Sequence, residues 1–414
     1  MSAEQNVSLP GGAPSFRHLR RMTDDTGLLE HALGRIPRRK EGYTTDDNAR
    51  ALWVVTEWLS PERAKLLTPD DRQRLASLAD IYLAFMLWCQ RDDGWFHNNI
   101  AYDRTPEPEF VSYDCQGRSV WSCADAWIRL PGQQRETAFA LLRNAFDTIG
   151  RIDSLRGQAF ALAACAHLLE AEDQERIRLP QGWRDQLRAH VDRLEEAIVA
   201  AFLKTSDNAW RWFEPAMTYS NGVLPWSLLR AYRITGRTKT LEIGLDSLFS
   251  LRKAMTAEGG WFRPIGNEKW HSREATSQWD QQPLEMFKLA LALDEGASAL
   301  ELAAKRGVSP DLSGLYRSDA AAMQTAAAKE DVRTQLEAAA SVEELRQARD
   351  RCLAWFHGDN DLRVPMADPS DGSCFDGLRK SGPNINCGAE AVISYLMTEA
   401  LCSDRLSENR QQAS

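Results

Sequence analysis

Helical periodicity recurs along almost the whole chain and constrains its fold more than any other feature. From Asn48 to Leu59 the apolar residues follow the i, i+3, i+4, i+7 spacing of an amphipathic helix, and Thr44, Thr45 and Asp46 supply an N-cap. Comparable segments, most of them bounded by Gly, Pro, Asn or Asp, follow at 69–90, 117–130, 134–149, 154–171, 181–204, 221–235, 238–256, 279–293, 340–357 and 387–402. The sequence therefore predicts an all-α protein with about a dozen helices.

Aromatic turns repeat between these helices. An acidic or glycine turn followed by Trp and Phe occurs at 91–97, 207–214 and 258–264, and 371–376 is a weaker fourth copy. Such a repeat, too small to bury its own apolar face, is typical of stacked α-hairpins. We expect about six hairpins closed into an (α/α)6 barrel, with an open solenoid as the alternative. The barrel is favoured because 159–169 and 284–293 are apolar on nearly every face, whereas 181–204 has a wide polar face.

The predicted barrel occupies residues 15–404 as a single domain. Residues 1–14 are expected to be disordered and 405–414 to form a flexible tail. The stretch 296–343, rich in Ala, Glu, Arg and Lys, interrupts the pattern and is interpreted as an inserted helical segment. This segment either mediates self-association into a homo-oligomer or is a plain solvated insertion.

Charge and composition exclude several classes of function. The net charge is −9 and no basic segment carries an aromatic platform, so nucleic-acid binding is not expected. Because no signal peptide and no long apolar run occurs, we expect a cytoplasmic protein without a membrane partner. The eight cysteines stand singly and are expected to be buried free thiols, and the seven scattered histidines predict no metal site. Nucleotide, serine-hydrolase and zinc-protease motifs are absent, so no cofactor is predicted.

The chain has 14 tryptophans and only eight tyrosines, which indicates a large core, an aromatic groove or both. Four tryptophans at helical spacing are predicted to lie in the core: Trp53, Trp58, Trp127 and Trp226. Six others occupy loops or helix starts and are predicted at the mouth of the barrel: Trp95, Trp210, Trp212, Trp261, Trp270 and Trp279.

Polar clusters precede or begin several of the predicted helices. If alternate hairpin ends share one mouth of the ring, these clusters converge there. Aromatic faces, amides, arginines and paired carboxylates are the groups that a sugar site needs. Besides tryptophans, the candidates are Asp24, Asp25, Asp46, Asp47, Asp114, Arg118, Glu214, Tyr219, Asn221, Asp280, Gln281, Gln282, Asn386 and Glu390.

Most of these candidates also have a purely structural interpretation. Asp24, Asp25, Asp46 and Asp47 stand near helix starts, where aspartates cap free N–H groups and oppose the helix dipole. Glu390 has the same alternative in the first turn of its helix, and Arg118 and Arg50 are equally suited to structural ion pairs.

Several motifs carry a resemblance to a known group. TDDTGLLEHA (23–32), GYTTDDNARAL (42–52), GRSVW (117–121), WFEPAMTYSN (212–221), RPIGN (263–267), DQQP (280–283), WFHGDNDL (355–362) and NINCGAE (384–390) resemble a group of bacterial glycosyltransferase-associated proteins that is similar to the six-hairpin glycosidase superfamily. The resemblance runs from about Phe16 to Leu401. It implies a groove with an acid and a base at the N-terminal ends of the inner helices. Gln116 departs from the pattern, which has a histidine before Gly117.

The leading hypothesis is a glycoside hydrolase that acts on a bacterial oligo- or polysaccharide. Glu214 or Asp280 would protonate the leaving oxygen, and Asp46, Asp47 or Asp114 would activate water or hold the sugar ring. An inverting mechanism predicts a carboxyl separation of roughly 6.5–9.5 Å, against about 5 Å in a retaining one.

Two alternatives remain open. A sugar epimerase or isomerase on the same barrel would need a histidine proton shuttle, for which His97 and His271 are candidates. A non-catalytic glycan-binding or glycosyltransferase-partner protein would keep the aromatic groove without a matched acid and base.

Overall fold

A computed structural model describes residues 9–312 and 341–406. The helices are α1 (Arg17–Met22), α2 (Thr45–Trp58), α3 (Pro61–Ala64), α4 (Pro69–Cys89), α5 (Tyr113–Arg129), α6 (Gly132–Ala145), α7 (Leu155–Asp173), α8 (Trp183–Thr205), α9 (Val223–Thr235), α10 (Thr238–Ala254), α11 (Pro283–Lys305), α12 (Val342–Phe356) and α13 (Ala389–Leu401). Of the predicted disordered segment 1–14 and the predicted tail 405–414, residues 1–8 and 407–414 lie outside the described residues, whereas Pro10 and Arg405 are described and are joined by a hydrogen bond from the Arg405 guanidinium to the Pro10 carbonyl.

Six helices form a closed inner ring in the order α2, α5, α7, α9, α11 and α13. Each packs on the next, and α13 packs back on α2. Helices α4, α6, α8, α10 and α12 each cover one inner helix from outside, and the short α1 contacts α13. The predicted (α/α)6 barrel is confirmed, because a ring of mostly apolar helices buries its outer faces only when a second layer covers it.

Short antiparallel ribbons decorate the connections between helices. The pairs are β1 (Ala32–Leu33) with β2 (Ile36–Pro37), β3 (Tyr43–Thr44) with β4 (Asn99–Ile100), β5 (Ala216–Met217) with β6 (His271–Ser272), β7 (Ala367–Asp368) with β8 (Ser373–Cys374), and β9 (Gly377–Arg379) with β10 (Gly382–Asn384). The ribbon of β3 and β4 joins the start of α2 to the loop that precedes α5.

Two inner helices have bounds that differ from those predicted by the periodicity, and both differences change which residues form the first turn of the helix. Helix α5 begins at Tyr113, because the Ser112 hydroxyl caps it by accepting from the Cys115 N–H at 3.2 Å, so the predicted polar connection is its first turn. Helix α11 begins at Pro283 and continues to Lys305. Residues 296–305 therefore belong to the inner ring and not to an insertion, and 313–340 lie outside the described residues.

The middle of the barrel is filled by large aromatic rings. Trp53, Trp121, Phe160, Trp226 and Phe287 come from five different inner helices. Their ring centroids lie close together, with Trp121 and Trp226 at 4.8 Å and Trp53 and Phe287 at 5.5 Å. These rings therefore pack as one aromatic layer between the inner helices.

Burial confirms the predicted core tryptophans. Trp53, Trp58, Trp127 and Trp226 are all buried. All eight cysteines are also buried and unpaired, as predicted. Within residues 9–312 and 341–406, no helix combines the length and the apolar character needed to cross a membrane.

Candidate active site

The first turn of α2 forms the centre of the polar mouth. The Thr44 hydroxyl caps this helix by accepting from the Asp47 N–H at 3.1 Å, which confirms the predicted cap and places Asp46 and Asp47 in the first turn. One turn later, Arg50 Nη2 donates to Asp47 Oδ1 at 2.7 Å and to Asp46 Oδ2 at 3.1 Å. Its Nη1 donates to Glu390 Oε2 of α13 at 2.7 Å. A single guanidinium thus connects carboxyl groups from two inner helices.

The two adjacent aspartates have opposite acid–base character. Burial raises the pKa of Asp47 to about 7; Arg50 opposes this rise, and the neighbouring charge of Asp46 adds to it. Burial also disfavours charge on Asp46, but Arg118 and Arg50 together hold its pKa below the ordinary value. Arg118 reaches Asp46 from α5, with Nη1 at 2.5 Å from Oδ2. Near neutral pH, Asp47 can therefore hold a proton while Asp46 is ionised.

A cavity of about 330 Å³ opens beside this pair. The first turns of α2, α11 and α13 line it together with two loops, through Glu30, His31, Asp47, Arg50, Gln282, Pro283, Asp376, Gly388, Ala389, Glu390 and Ala391. The Asp47 side chain is only 6% exposed, whereas that of Glu390 is 42% exposed. Burial also raises the pKa of Glu30 and of Asp376. The cavity therefore combines protonatable carboxyls with one guanidinium.

A second cluster lies at the first turns of α5 and α7. Asp114 accepts from the Tyr219 hydroxyl and, at 2.5 Å, from that of Ser154, and Arg118 Nη2 lies 3.9 Å from its Oδ2. Both carboxylate oxygens of Glu214 accept from Arg156, at 3.2 and 2.9 Å. Arg156 Nε also donates to the Tyr219 carbonyl at 2.6 Å. These contacts hold the loop between α8 and α9 against the ring.

Glu285 in the first turn of α11 anchors the same loop from the other side. Its carboxylate accepts from the Ser220 N–H and, at 2.8 Å, from Asn221 Nδ2. Burial raises the pKa of Glu285, and these hydrogen bonds oppose the rise. Asn221 is fully buried, so the structure gives it a role in holding the loop.

Several other candidates make turn or loop contacts away from the cavity. Asp24 accepts from the Tyr43 hydroxyl at 2.8 Å and from the Thr26 N–H at 2.9 Å, and the exposed Asp25 pairs with Arg104 at 3.2 Å. Asn386 accepts from the Gly34 N–H at 3.0 Å.

The DQQP segment is divided between different environments. Gln282 lines the cavity, whereas Gln281 is buried and donates to Asp361 at 2.6 Å. Asp280 has a positive φ of 61° and lies 3.8 Å from Arg379. It lines a separate cavity of about 550 Å³.

The loop tryptophans are more buried than the groove hypothesis requires. Trp212 is fully buried, Trp95 and Trp210 are 7% and 5% exposed, and the Trp210 indole N–H donates to the Glu214 carbonyl at 2.8 Å. Trp261 donates to Asp361 at 3.0 Å and is partly exposed, as are Trp270 and Trp279. None of these six residues lines the 330 Å³ cavity.

Sequence reasoning did not select four residues of the mouth: Glu30, His31, Asp376 and Lys288. Glu30 and His31 lie near the end of the TDDTGLLEHA motif, just before Ala32, and Asp376 ends the weakest of the aromatic turns. Lys288 interrupts the apolar run 284–293, and an isolated lysine in such a run was the available signal for a buried polar site.

The ring of six helix pairs defines the class of fold as an (α/α)6 barrel. Neither a protein-family model nor a curated protein matches the sequence. Among solved structures, a cellobiose 2-epimerase from Bacillus thermoamylovorans superimposes with a TM-score of 0.62 at 11% identity, over 94% of this chain and 96% of that one. A D-mannose isomerase gives 0.56 at 10% identity, over 95% and 96%.

A glycoside hydrolase also shares the fold. An α-1,6-mannanase from Salegentibacter sp. gives a TM-score of 0.54 at 10% identity, over 94% of this chain and 96% of that one. A further structure of that mannanase holds α-1,6-mannotetrose in a variant described as inactive, in which two adjacent aspartates are replaced by alanine. These likenesses establish the fold.

Proposed function

We propose that this protein is a carbohydrate-active enzyme of the glycoside hydrolase type. The observation that carries the proposal is the pair of adjacent aspartates beside the cavity, in which burial raises the pKa of Asp47 to about 7 while two guanidiniums lower that of Asp46. Two carboxyls with divergent acidity in one site can act as a proton donor and an anion at the same pH.

In this proposal Asp47 protonates the leaving glycosidic oxygen. Glu390, the most exposed of the carboxyls bonded to Arg50, activates the attacking water from the adjacent helix. Asp46 stays ionised between Arg118 and Arg50 and stabilises positive charge that develops on the sugar ring. Arg50 sets the relative position of all three groups, since it bonds to each of them. We retain inverting stereochemistry as part of the proposal, and the anomer of the first product, read by NMR, tests it.

The geometry favours Asp47 over Glu214 and Asp280 as the proton donor. Glu214 is held by both arms of Arg156, and Asp280 lines a different cavity. This chain has other adjacent aspartates at 24–25, 70–71 and 92–93, and the choice of Asp46 and Asp47 among them rests on the cavity that Asp47 lines. The mannanase variant described as inactive also lacks two adjacent aspartates.

The test is a panel of linkage-defined oligosaccharides, including α-1,6-mannosides, with wild type and Asp47→Asn. We expect the substitution to lower kcat by about 10²–10⁴-fold with little change in KM, because Asn keeps the bond to Arg50 but has no proton to donate. Asp70→Asn on the outer helix α4, where the carboxylate is 66% exposed, is the matched control and should keep full activity. Unchanged turnover in Asp47→Asn would contradict the assignment.

An epimerase or isomerase is the second candidate, and the position of His31 favours it. His31 lines the cavity, with Nε2 at 3.4 Å from Glu30 Oε1, so an imidazole and a carboxyl stand together where a sugar would bind. The two histidines named from the sequence have other partners: His97 Nε2 is hydrogen-bonded to the Glu107 carbonyl at 2.9 Å, and His271 to Thr276 at 2.6 Å.

Deuterium uptake distinguishes this candidate from a hydrolase. Incubation of free aldoses in D₂O should label the sugar carbon only if a proton is removed from it. Binding without hydrolysis and without labelling would instead favour a glycan-binding protein.

A further inference from the structure

Lys288 is a fully buried lysine on the inner wall of the barrel. It lies one turn after Glu285 in α11, and its side chain is 0% exposed. Its Nζ lies 3.9 Å from the ring centroid of Phe287, 5.0 Å from that of Trp53 and 5.2 Å from that of Phe160. In the part of the chain that the structure describes, Nζ has no hydrogen-bond partner. The amine therefore lies against the aromatic layer below the polar mouth. Ring faces attract an ammonium, but this attraction is weaker than the cost of burying that charge without a hydrogen-bond partner.

The charges that face this amine do not favour a third cation. Arg118 from α5 and Arg50 from α2 oppose a positive charge on Lys288, while Asp46 and Glu390 favour it more weakly. Both of those carboxylates already bond to guanidiniums. Removal from water adds to the effect, because an ammonium without a partner is costly to bury. Together burial and the two arginines hold the pKa of Lys288 well below its ordinary value.

We propose that the buried, unpartnered amine of Lys288 is uncharged in the folded protein, so that it adds no third cation beneath Asp46, Arg50 and Arg118 and Asp47 retains its proton. Above it, the guanidiniums of Arg50 and Arg118 already bond to the carboxylates of Glu390 and Asp46, Asp114 Oδ2 lies 3.9 Å from Arg118 Nη2, and Asp47 is neutral. A permanent cation at the same place would favour ionised Asp47 and remove the acid. This inference rests on the proposed function for its consequence, although the charge state of Lys288 can be measured without any substrate.

The first experiment measures that charge state through stability. Where Lys288 is neutral in the folded protein but protonated in the unfolded chain, the unfolded state binds one more proton and stability rises with pH. The unfolding constant of wild type relative to Lys288→Met should therefore grow about tenfold for each pH unit as the pH falls below about 10, the pKa of lysine in the unfolded chain.

Lys239→Met, on the exposed surface of α10, is the control for this series and should follow wild type throughout. A ratio for Lys288→Met that does not change with pH would show that Lys288 is an ordinary ammonium and would overturn the proposal.

The second experiment measures the consequence for Asp47. Its titration is followed by carbon NMR of the side-chain carboxyl and, where hydrolysis is observed, by the alkaline limb of kcat/KM. In Lys288→Arg, the NMR titration of Asp47 and the alkaline limb of kcat/KM should both lie roughly one pH unit lower than in wild type, because a nearby opposite charge lowers the pKa of a carboxyl by at least about that much. In Lys288→Met, both should stay where they are in wild type. If the pKa of Asp47 is higher in Lys288→Met than in wild type, the proposal is refuted, and this result does not depend on whether the arginine variant folds.

The two readouts separate this inference from the proposed function. If no glycoside is hydrolysed but the pH dependence of stability and the NMR titration follow the expectation, Lys288 has the role described and the hydrolase assignment is wrong.

Discussion

Replacement of Arg50 by methionine tests the arrangement of charges at the mouth most directly. Three carboxyl groups lose one partner, but the losses are unequal. Asp46 keeps Arg118 at 2.5 Å, and Glu390 is 42% exposed, so water replaces much of what it loses. Asp47 is 6% exposed and loses its ion pair with Arg50. The cost therefore depends mainly on the protonation state of Asp47.

The magnitude follows from that dependence. Below pH 7 Asp47 is protonated in both proteins, and at this residue the variant loses one hydrogen bond between a charged and a neutral group, which costs about 1.5–3 kcal/mol. Removal of Arg50 raises the pKa of Asp47 above its value of about 7, because Arg50 opposes the effect of burial. Above pH 7 Asp47 ionises in the wild type and forms an ion pair with Arg50, whereas in the variant Asp47 stays protonated. The destabilisation caused by the substitution therefore grows by about 1.4 kcal/mol per pH unit. It should be about 2 kcal/mol larger at about pH 8.5 than at about pH 5.5.

Urea unfolding of both proteins across this pH range is the assay, with Arg38→Met as the control. Arg38 forms an exposed pair with Glu41, so its substitution should cost at most about 1 kcal/mol at every pH. An Arg50→Met destabilisation of equal size at both ends of the range would refute the reasoning, since it would mean that the charge on Asp47 does not respond to Arg50.

Two predictions concern the barrel itself. Gly117→Ala should destabilise by about 1–3 kcal/mol in urea unfolding, because its Cβ would lie 2.5 Å from the Gly157 carbonyl oxygen on α7, whereas Gly150→Ala, whose Cβ would meet nothing closer than 3.6 Å, should be nearly neutral. Trp53→Ala should cost about 3–5 kcal/mol because it removes the ring that contacts Trp121, Trp226 and Phe287; a loss below about 1 kcal/mol would show that the aromatic layer does not carry the core.

The fold was predictable from the sequence because each helix is specified by residues that are close together in the chain. The cap at Thr44 and the apolar spacing of α2 are properties of a few consecutive residues, and the same holds for most helices of the ring. The polar face of 181–204 correctly predicts α8 as an outer helix, and the nearly apolar 159–169 predicts α7 as an inner one. The predicted bounds were wrong where two helices pack closely. The sequence predicts a helix boundary at Gly117, but this residue lies inside α5, where the absence of a side chain allows close contact with Gly157 of α7.

The candidate site was less predictable because its residues meet only when the ring closes. Glu30 and His31 precede α2, Asp376 precedes β9, and Glu390 begins the last helix, yet all line one cavity. A pattern of neighbouring residues cannot predict that these distant positions meet. Lys288 is a different case, since its apolar neighbours predict burial but say nothing of the arginines that it faces across the barrel.

The helix dipoles account for the charge state of some acidic residues at the mouth but not of others. Six inner helices point their N-terminal ends toward one mouth, and acidic side chains in those first turns are stabilised there whether or not the protein has a catalytic function. Asp46 conforms to this expectation, because positive surroundings lower its pKa. Asp47 does not, since its pKa is raised at the same helix end, beside a guanidinium. Capping and dipole compensation favour a charged carboxylate, so they do not account for the raised pKa of Asp47, which comes from burial and from the neighbouring charge of Asp46; the buried Glu285 in the first turn of α11 departs from the expectation for the same reason, since burial raises its pKa.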